Sequence, residues 1–196
     1  MNEVEITVEI KCTKEELVKK LYEANFKVIG EFFMQDDYYT HLNLSVDTKF
    51  QDLIANSIIA RYIEDSGEII QQILYKNKNF NAGGKVISET KIKCSVADTK
   101  KANEIFKSAN FTNWCSKTAH AQVFSNDKLE FVVQDVKNLG LFLELEQGES
   151  QTGTPEQIIS NLISQARTLD LPLGDDFQVS LAKLLYIQKF GSKHAN

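Results

Sequence analysis

The sequence is poor in the residues that build linkers and disulfide frameworks. Of its 196 residues only two are proline, and its three cysteines are odd in number and widely spaced. No stretch therefore has the composition of an interdomain linker, and neither a disulfide framework nor a cysteine metal site is expected. Free thiols suit a reducing compartment, so we expect a cytoplasmic protein.

Long apolar runs and an excess of positive charge are also missing. Charged and apolar residues alternate from Glu3 onward, so we expect neither a signal peptide nor a membrane-spanning segment. The net charge of -5 argues against non-specific binding to nucleic acid or to an acidic membrane surface. We therefore expect no nucleic-acid partner and no membrane partner.

What the sequence does contain is a series of short segments in which apolar and polar residues alternate. The first, over about residues 3–11, places aliphatic side chains on one face and charged or hydroxyl side chains on the other. Residues 77–84 are polar and contain glycine, which predicts a loop. Further strands are predicted at about 27–40, 57–64, 68–76, 86–95, 113–124, 128–136 and 140–147, and helices at about 13–25, 98–110, 154–169 and 177–189.

Eight strands in so short a chain favour closure of the sheet on itself, because closure removes both exposed edges. We therefore predict an α+β fold with one domain over residues 1–196, a closed eight-stranded antiparallel β-barrel with flanking helices. Leu17 and Leu21 of the first helix need an apolar surface to cover, which the outer strand faces supply. The charged strand faces would then point inward; the alternative is that they are simply solvated.

Several motifs occur in the order expected of one known family. Thr7–Lys11 is similar to its opening Glu-x-Glu-x-Lys strand, and Gln35–Tyr39 to its Gln-x-Asp-x-Tyr strand. Leu74–Lys76 and Ile58–Arg61 match its Leu-Thr-Tyr-Lys and Leu-Arg-Ile-Arg segments in part. Leu139–Glu146 is close to Leu-Gly-x-Phe-x-Glu-x-Glu, the most specific stretch. The chain thus resembles the CYTH superfamily, also called triphosphate tunnel metalloenzymes.

The resemblance implies a set of site residues. In this family, which includes class IV adenylyl cyclases and thiamine and inorganic triphosphatases, basic residues in the tunnel hold a triphosphate and glutamates hold Mg²⁺ or Mn²⁺. A triphosphate needs several cations facing it, and hard divalent cations take carboxylate oxygens. The implied triphosphate ligands are Lys11, Arg61, Lys76, Lys117 and Lys91. The implied metal ligands are Glu9, Glu144, Glu146 and Glu89.

The chain departs from the family pattern at several charged positions. Thr7 replaces the first glutamate of the opening motif, and Ile59 replaces the first arginine of an Arg-x-Arg pair. Gln134 stands where an aspartate is usual. Glu5 lies two residues before Thr7 on the same strand face, so it could replace part of the missing carboxylate. These losses bear on activity more than on fold.

The resemblance implies metal-dependent binding and hydrolysis of a triphosphate-containing substrate, with a triphosphate or another polyanionic small molecule as partner. Cyclisation is disfavoured because no residues can be assigned to adenine recognition or 3′-hydroxyl activation. One alternative is a polyanion-binding module without turnover, since removing one positioned charge commonly lowers a rate by about 10²- to 10³-fold. Another is a hydrophobic-ligand barrel, but that would need an apolar interior. A homodimer is one oligomeric state that remains open.

Overall fold

A computed structural model describes residues 3–45, 48–148 and 152–191, and over these ranges the chain has eight strands and five helices. The strands are β1 (Glu5–Glu9), β2 (Lys27–Thr40), β3 (Ser57–Asp65), β4 (Glu68–Phe80), β5 (Val86–Ser95), β6 (Thr112–Ser125), β7 (Glu130–Val136) and β8 (Gly140–Glu146). The helices are α1 (Lys14–Glu23), α2 (Phe50–Ala55), α3 (Thr99–Ser108), α4 (Pro155–Arg167) and α5 (Leu181–Phe190). Within the described ranges, none of the helices has the length and apolar character needed to cross a membrane.

The starts of two helices follow from reciprocal capping by side chains. At α1 the backbone N–H of Glu16 donates to the Thr13 hydroxyl at 3.2 Å, and the N–H of Thr13 donates to the Glu16 carboxylate at 3.0 Å. Thr154 and Gln157 make the same pair of bonds at α4, where Pro155 occupies the first turn. Both starts were predicted from these short motifs, and both are confirmed.

The strands form an open sheet, so the predicted closed barrel is wrong, while the α+β class is confirmed. Their hydrogen-bonded order is β1-β8-β7-β6-β2-β3-β4-β5, which leaves β1 and β5 at the two ends. Among the described residues the two end strands are linked by an isolated bridge. There the backbones of Glu3 and Glu89 exchange hydrogen bonds of 2.8 and 3.0 Å.

The physical reason for the open edge is that another part of the chain already occupies the outer edge of β1. Residues 172–179 lie beside this strand. The last helix was predicted to begin at about residue 177, but it begins at Leu181. Lys11 N–H donates to the Pro172 carbonyl at 2.7 Å, and Thr7 N–H donates to the Phe177 carbonyl at 3.1 Å. These bonds satisfy the backbone groups that β5 would need in order to close the sheet.

The loop predicted at residues 77–84 is shorter than expected, because β4 continues to Phe80. A tight turn follows, in which the side-chain oxygen of Asn81 accepts from the N–H groups of Gly83 and Lys85, both at 3.0 Å. Gly84 has φ +74°, a conformation that favours glycine. The polar residues of this segment are therefore strand residues up to position 80, and the turn itself is set by asparagine and glycine.

The chain forms two compact units. Unit 1 comprises the described residues of Met1–Phe32, Asn79–Glu89 and His120–Val179, and unit 2 those of Phe33–Lys78, Thr90–Ala119 and Ser180–Asn196. Several strands run from one unit into the other, as β2 and β6 do. The prediction of a single domain over the whole chain stays a prediction.

The core of unit 1 lies between two helices and one face of the sheet. Ile6 of β1, Leu143 of β8, Leu17 of α1 and Leu162 of α4 are each at most 1% exposed and belong to one apolar cluster. The helices thus cover the apolar strand faces, as their amphipathic patterns predicted. The alternate residues of β1 and β8, among them Glu5, are left on the opposite face.

The core of unit 2 is built around Trp114 of β6, which is 0% exposed. Its ring lies 5.4 Å from that of Tyr38, 6.0 Å from that of Phe50 and 5.9 Å from that of Tyr186, measured between centroids. Its indole N–H donates to the Ser57 hydroxyl at 2.9 Å. One side chain therefore connects β2, β3, α2 and α5.

Candidate functional site

Three glutamates of unit 1 converge on the sheet face that the helices leave uncovered. The antiparallel register of β1 and β8 places Glu5 opposite Glu146 and Thr7 opposite Glu144. One carboxylate oxygen from each of Glu5, Glu144 and Glu146 lies within 4.8 Å of the other two. We refer to these three residues as the acidic cluster. Carboxylate oxygens at this spacing are the kind of donor set that hard divalent cations take.

A neutral amide supports the acidic cluster from β7. Gln134 is 2% exposed, and its Nε2 donates to Oε2 of Glu144 at 2.7 Å. At this position the CYTH family usually has an aspartate. The amide therefore orients Glu144 without adding a fourth negative charge, which lowers the repulsion among the carboxylates.

The structure brings together two of the four predicted metal ligands. Glu144 and Glu146 belong to the acidic cluster, whereas Glu9 is exposed and lies opposite Phe142. Glu89 is 2% exposed, at the bridge between the end strands. Glu5 completes the acidic cluster; its strand parity, shared with Thr7, predicted it as a partial replacement for the carboxylate missing at Thr7. Occupation of the acidic cluster by a metal stays a prediction.

A second group of charged side chains is buried in unit 2, around one carboxylate. Asp36 of β2 is 0% exposed and accepts two hydrogen bonds from Arg61 of β3, Nε to Oδ1 at 2.6 Å and Nη2 to Oδ2 at 2.7 Å. On the other side, Nζ of Lys117 on β6 lies 3.7 Å from Oδ2 of Asp36. Because β2 lies between β6 and β3 in the sheet, the carboxylate is flanked by a cation on each neighbouring strand.

The electrostatics of this group keep the carboxylate ionised. Burial by itself raises the pKa of Asp36, but the charge and hydrogen bonds of Arg61 outweigh it, helped by the charges of Lys117 and Lys76. The pKa of Asp36 therefore lies below its ordinary value. We call Asp36, Arg61, Lys117 and Lys76 the Asp36 cluster.

Three of the five predicted triphosphate ligands thus belong to one cluster. Arg61, Lys76 and Lys117 surround Asp36 in unit 2, and Lys117 is only 6% exposed, which argues against a merely solvated role. Lys91 lies half-buried on β5 of the same unit. Lys11 is exposed and belongs to unit 1.

Sequence reasoning missed Asp36, which counted only as a spacer within the Gln35–Tyr39 motif. A signal was present, because Asp36 alternates with Met34 and Tyr38, which are both buried. A carboxylate on a buried strand face needs a cationic partner, so its parity could have predicted the pairing with Arg61.

Comparison with known proteins finds a relative whose name describes it as a candidate adenylate cyclase. No protein-family model matches the chain. Over 171 residues the chain is 26% identical to a protein of Methanocaldococcus jannaschii that is named as a candidate adenylate cyclase, and the match covers 87% of this chain and 91% of that protein.

Solved structures of several proteins share the fold of this chain. One from Pyrococcus horikoshii has a TM-score of 0.70 at 18% identity, covering 95% of this chain and 98% of that one. A candidate adenylyl cyclase from Hippeastrum, described as having a dominant triphosphatase activity, has a TM-score of 0.59 at 10% identity and covers 96% of each chain. At these identities the structural likeness shows the shared fold.

Proposed function

We propose that this chain, a divergent member of the CYTH superfamily, binds the triphosphate group of an inorganic or organic triphosphate. Its motif order, its relative in Methanocaldococcus jannaschii and the solved structures of candidate adenylate cyclases support membership of that superfamily. The observation that carries the proposal is the Asp36 cluster, because it gathers the side chains of Arg61 and Lys117 from two neighbouring strands around one point, within reach of the charge of Lys76. Its lysine and arginine side chains offer the charge-assisted hydrogen bonds that phosphate oxygens accept.

The acidic cluster supports a metal-dependent reaction. Its three carboxylates fit Mg²⁺ or Mn²⁺, which prefer oxygen ligands, and Gln134 holds one of them in place. A bound metal would supply neutralisation of phosphate charge and activation of a water molecule. We therefore propose hydrolysis of a phosphoanhydride bond as the reaction, with Glu144 and Glu146 as metal ligands and Glu5 beside them.

A second candidate, a polyanion-binding module without turnover, is favoured by specific replacements. Ile59, where the family has an arginine, is 1% exposed and part of the apolar core, so no cation can return to that position without rearrangement. Thr7 is 7% exposed and carries no charge beside Glu144. The first replacement removes a cation that could bind phosphate, and the second removes a carboxylate that could bind a metal, while the Asp36 cluster remains.

Incubation with tripolyphosphate or ATP, with Mg²⁺ or Mn²⁺, tests the two candidates together. We expect tripolyphosphate to raise the melting temperature, and metal-dependent release of orthophosphate without cyclic AMP. Sodium sulfate at matched ionic strength controls for screening. Stabilisation without phosphate release would select the binding module. If tripolyphosphate stabilises no more than sulfate does, the proposed binding is wrong.

Metal binding by the acidic cluster can be tested separately. In the double variant Glu144→Gln and Glu146→Gln we expect Mn²⁺ affinity, measured by titration calorimetry, to fall by about 10-fold or more, since a charged interaction is worth about 1.5–3 kcal/mol. Glu9→Gln is the matched control, because Glu9 is exposed and outside the cluster on the same strand face as Glu5. Equal losses in the double variant and the control would remove the acidic cluster as the metal site.

A further inference from the structure

The Asp36 cluster contains a carboxylate where the binding of an anion would call only for cations. Asp36 is fully buried, and it engages the Nε–Nη2 edge of Arg61 through two short hydrogen bonds. That edge is one of the two guanidinium edges that can bind two oxygens of a carboxylate or phosphate side by side. The geometry of Asp36 on Arg61 is therefore of the same kind as that of an oxyanion ligand.

We propose, on the basis of the proposed triphosphate binding, that Asp36 is an internal counter-ion that holds Arg61 and Lys117 in place without ligand and competes with phosphate for them. Asp36 is thus a positioning residue that lowers the affinity for anions. It is a feature of β2 of this chain.

The first step of the argument is the cost of assembling buried cations. Arg61 and Lys117 approach the same carboxylate from two neighbouring strands, and the charge of Lys76 also reaches it. Two like charges that approach each other repel, and removing one partner of a buried ion pair is destabilising. The carboxylate between Arg61 and Lys117 therefore helps to hold these two cations together before a ligand arrives.

The second step is competition for the same donors. A phosphate oxygen that approaches the Nε–Nη2 edge of Arg61 has to displace Asp36, and one that approaches elsewhere is still repelled by its charge. In both cases the carboxylate opposes the anion. A ligand with several negative charges can overcome this opposition through several cations at once, which suits a triphosphate.

The test is the isosteric variant Asp36→Asn, studied as the full chain. We expect its melting temperature without ligand to fall, because the buried cations lose their partner. We expect tripolyphosphate to raise its melting temperature by more than it does in the wild type, and to bind at least about tenfold more tightly in titration calorimetry, the lower end for one charged hydrogen bond. An unchanged or weaker affinity would overturn the inference.

Asp37→Asn is the matched control. Asp37 is the adjacent carboxylate of β2 and accepts hydrogen bonds from Ser116 at 2.6 Å, Gln35 at 3.1 Å and Asn103 at 3.1 Å. Its strand parity places it on the opposite face from Asp36. We expect tripolyphosphate affinity in this variant to stay within about twofold of the wild type, since no cation of the Asp36 cluster depends on it.

The outcomes separate this inference from the proposed function. Binding of tripolyphosphate by the wild type with unchanged affinity in Asp36→Asn keeps the function and overturns the counter-ion role. Binding by the variant alone supports the counter-ion role and overturns the proposed function of the wild type. Binding by neither protein overturns both. If Asp36→Asn does not fold, the Nε–H resonance of Arg61 in the wild type decides: tripolyphosphate must shift it, and an unshifted resonance contradicts the inference.

Discussion

Replacing Arg61 with alanine is expected to lower the free energy of unfolding by about 3–5 kcal/mol, the scale for breaking a buried ion pair. The variant leaves Asp36, which is 0% exposed, with Lys117 at 3.7 Å as its nearest described cation. Urea unfolding at neutral pH measures the loss, provided that the denaturant slope is unchanged. The double variant Arg61→Ala and Asp36→Asn should recover part of it, because no carboxylate is then left buried without its main partner.

An exposed ion pair provides the control for this prediction. Lys85 Nζ lies 2.8 Å from Asp176 Oδ1, but the two side chains are 48% and 53% exposed. Lys85→Ala should therefore cost less than about 1 kcal/mol, as exposed pairs do. If Arg61→Ala and Lys85→Ala destabilise equally, burial does not determine the strength of the Asp36–Arg61 pair.

Acidic pH should reduce the loss in the free energy of unfolding that Arg61→Ala causes. The pKa of Asp36 is lowered in the folded protein, so the stabilisation from its ionised form is present above the ordinary aspartate pKa of about 3.9 and is lost as pH falls through the folded value. The stability difference between wild type and variant should shrink over this acidic window. A difference that is constant down to low pH would contradict the assignment to Asp36.

The same substitution is expected to weaken tripolyphosphate binding by about 1.5–3 kcal/mol, the scale for charged hydrogen bonds. Arg61 is the cation that Asp36 holds most closely, at 2.6 Å, so its position is the best defined in the Asp36 cluster. Titration calorimetry on folded Arg61→Ala measures the loss. An unchanged affinity would remove Arg61 from the binding site and would leave it a structural partner of Asp36.

Trp114→Ala is expected to have the largest effect among changes to the apolar core, a loss of about 3–5 kcal/mol in the free energy of unfolding. The side chain is 0% exposed and packs against three aromatic rings, so its removal leaves a cavity lined by Tyr38, Phe50 and Tyr186. Urea unfolding followed by far-UV circular dichroism measures the change.

Trp114→Phe separates packing from hydrogen bonding at this position. The phenyl ring keeps much of the aromatic contact but cannot donate to the Ser57 hydroxyl, as the indole does at 2.9 Å. We expect a loss of about 1–3 kcal/mol, the scale for leaving a buried polar group without its partner. A loss below about 1 kcal/mol in Trp114→Ala would show that the ring contributes little, contrary to its burial.

Local signals in the sequence predicted the elements well. β2 and β5 have the predicted bounds, and the capping residues Thr13 and Thr154 stand where their motifs placed them. Alternation and capping depend on residues a few positions apart, so they are visible in one sequence without any knowledge of the rest of the chain. Parity did not separate Glu5 from Glu9, which lies on the same face of β1 but outside the acidic cluster.

The sequence by itself determined the strand and helix pattern, the apolar faces and the motif order that resembles CYTH proteins. Only the tertiary structure decided which segment pairs with the outer edge of β1. Residues 172–179 lie there, and the sheet is open. It also decided that Arg61 and Lys117 meet at Asp36, whereas Glu9 and Lys11 stay exposed. Backbone hydrogen bonds between distant segments carry no side-chain signature, and a charge pair depends on strand neighbours that local periodicity does not specify.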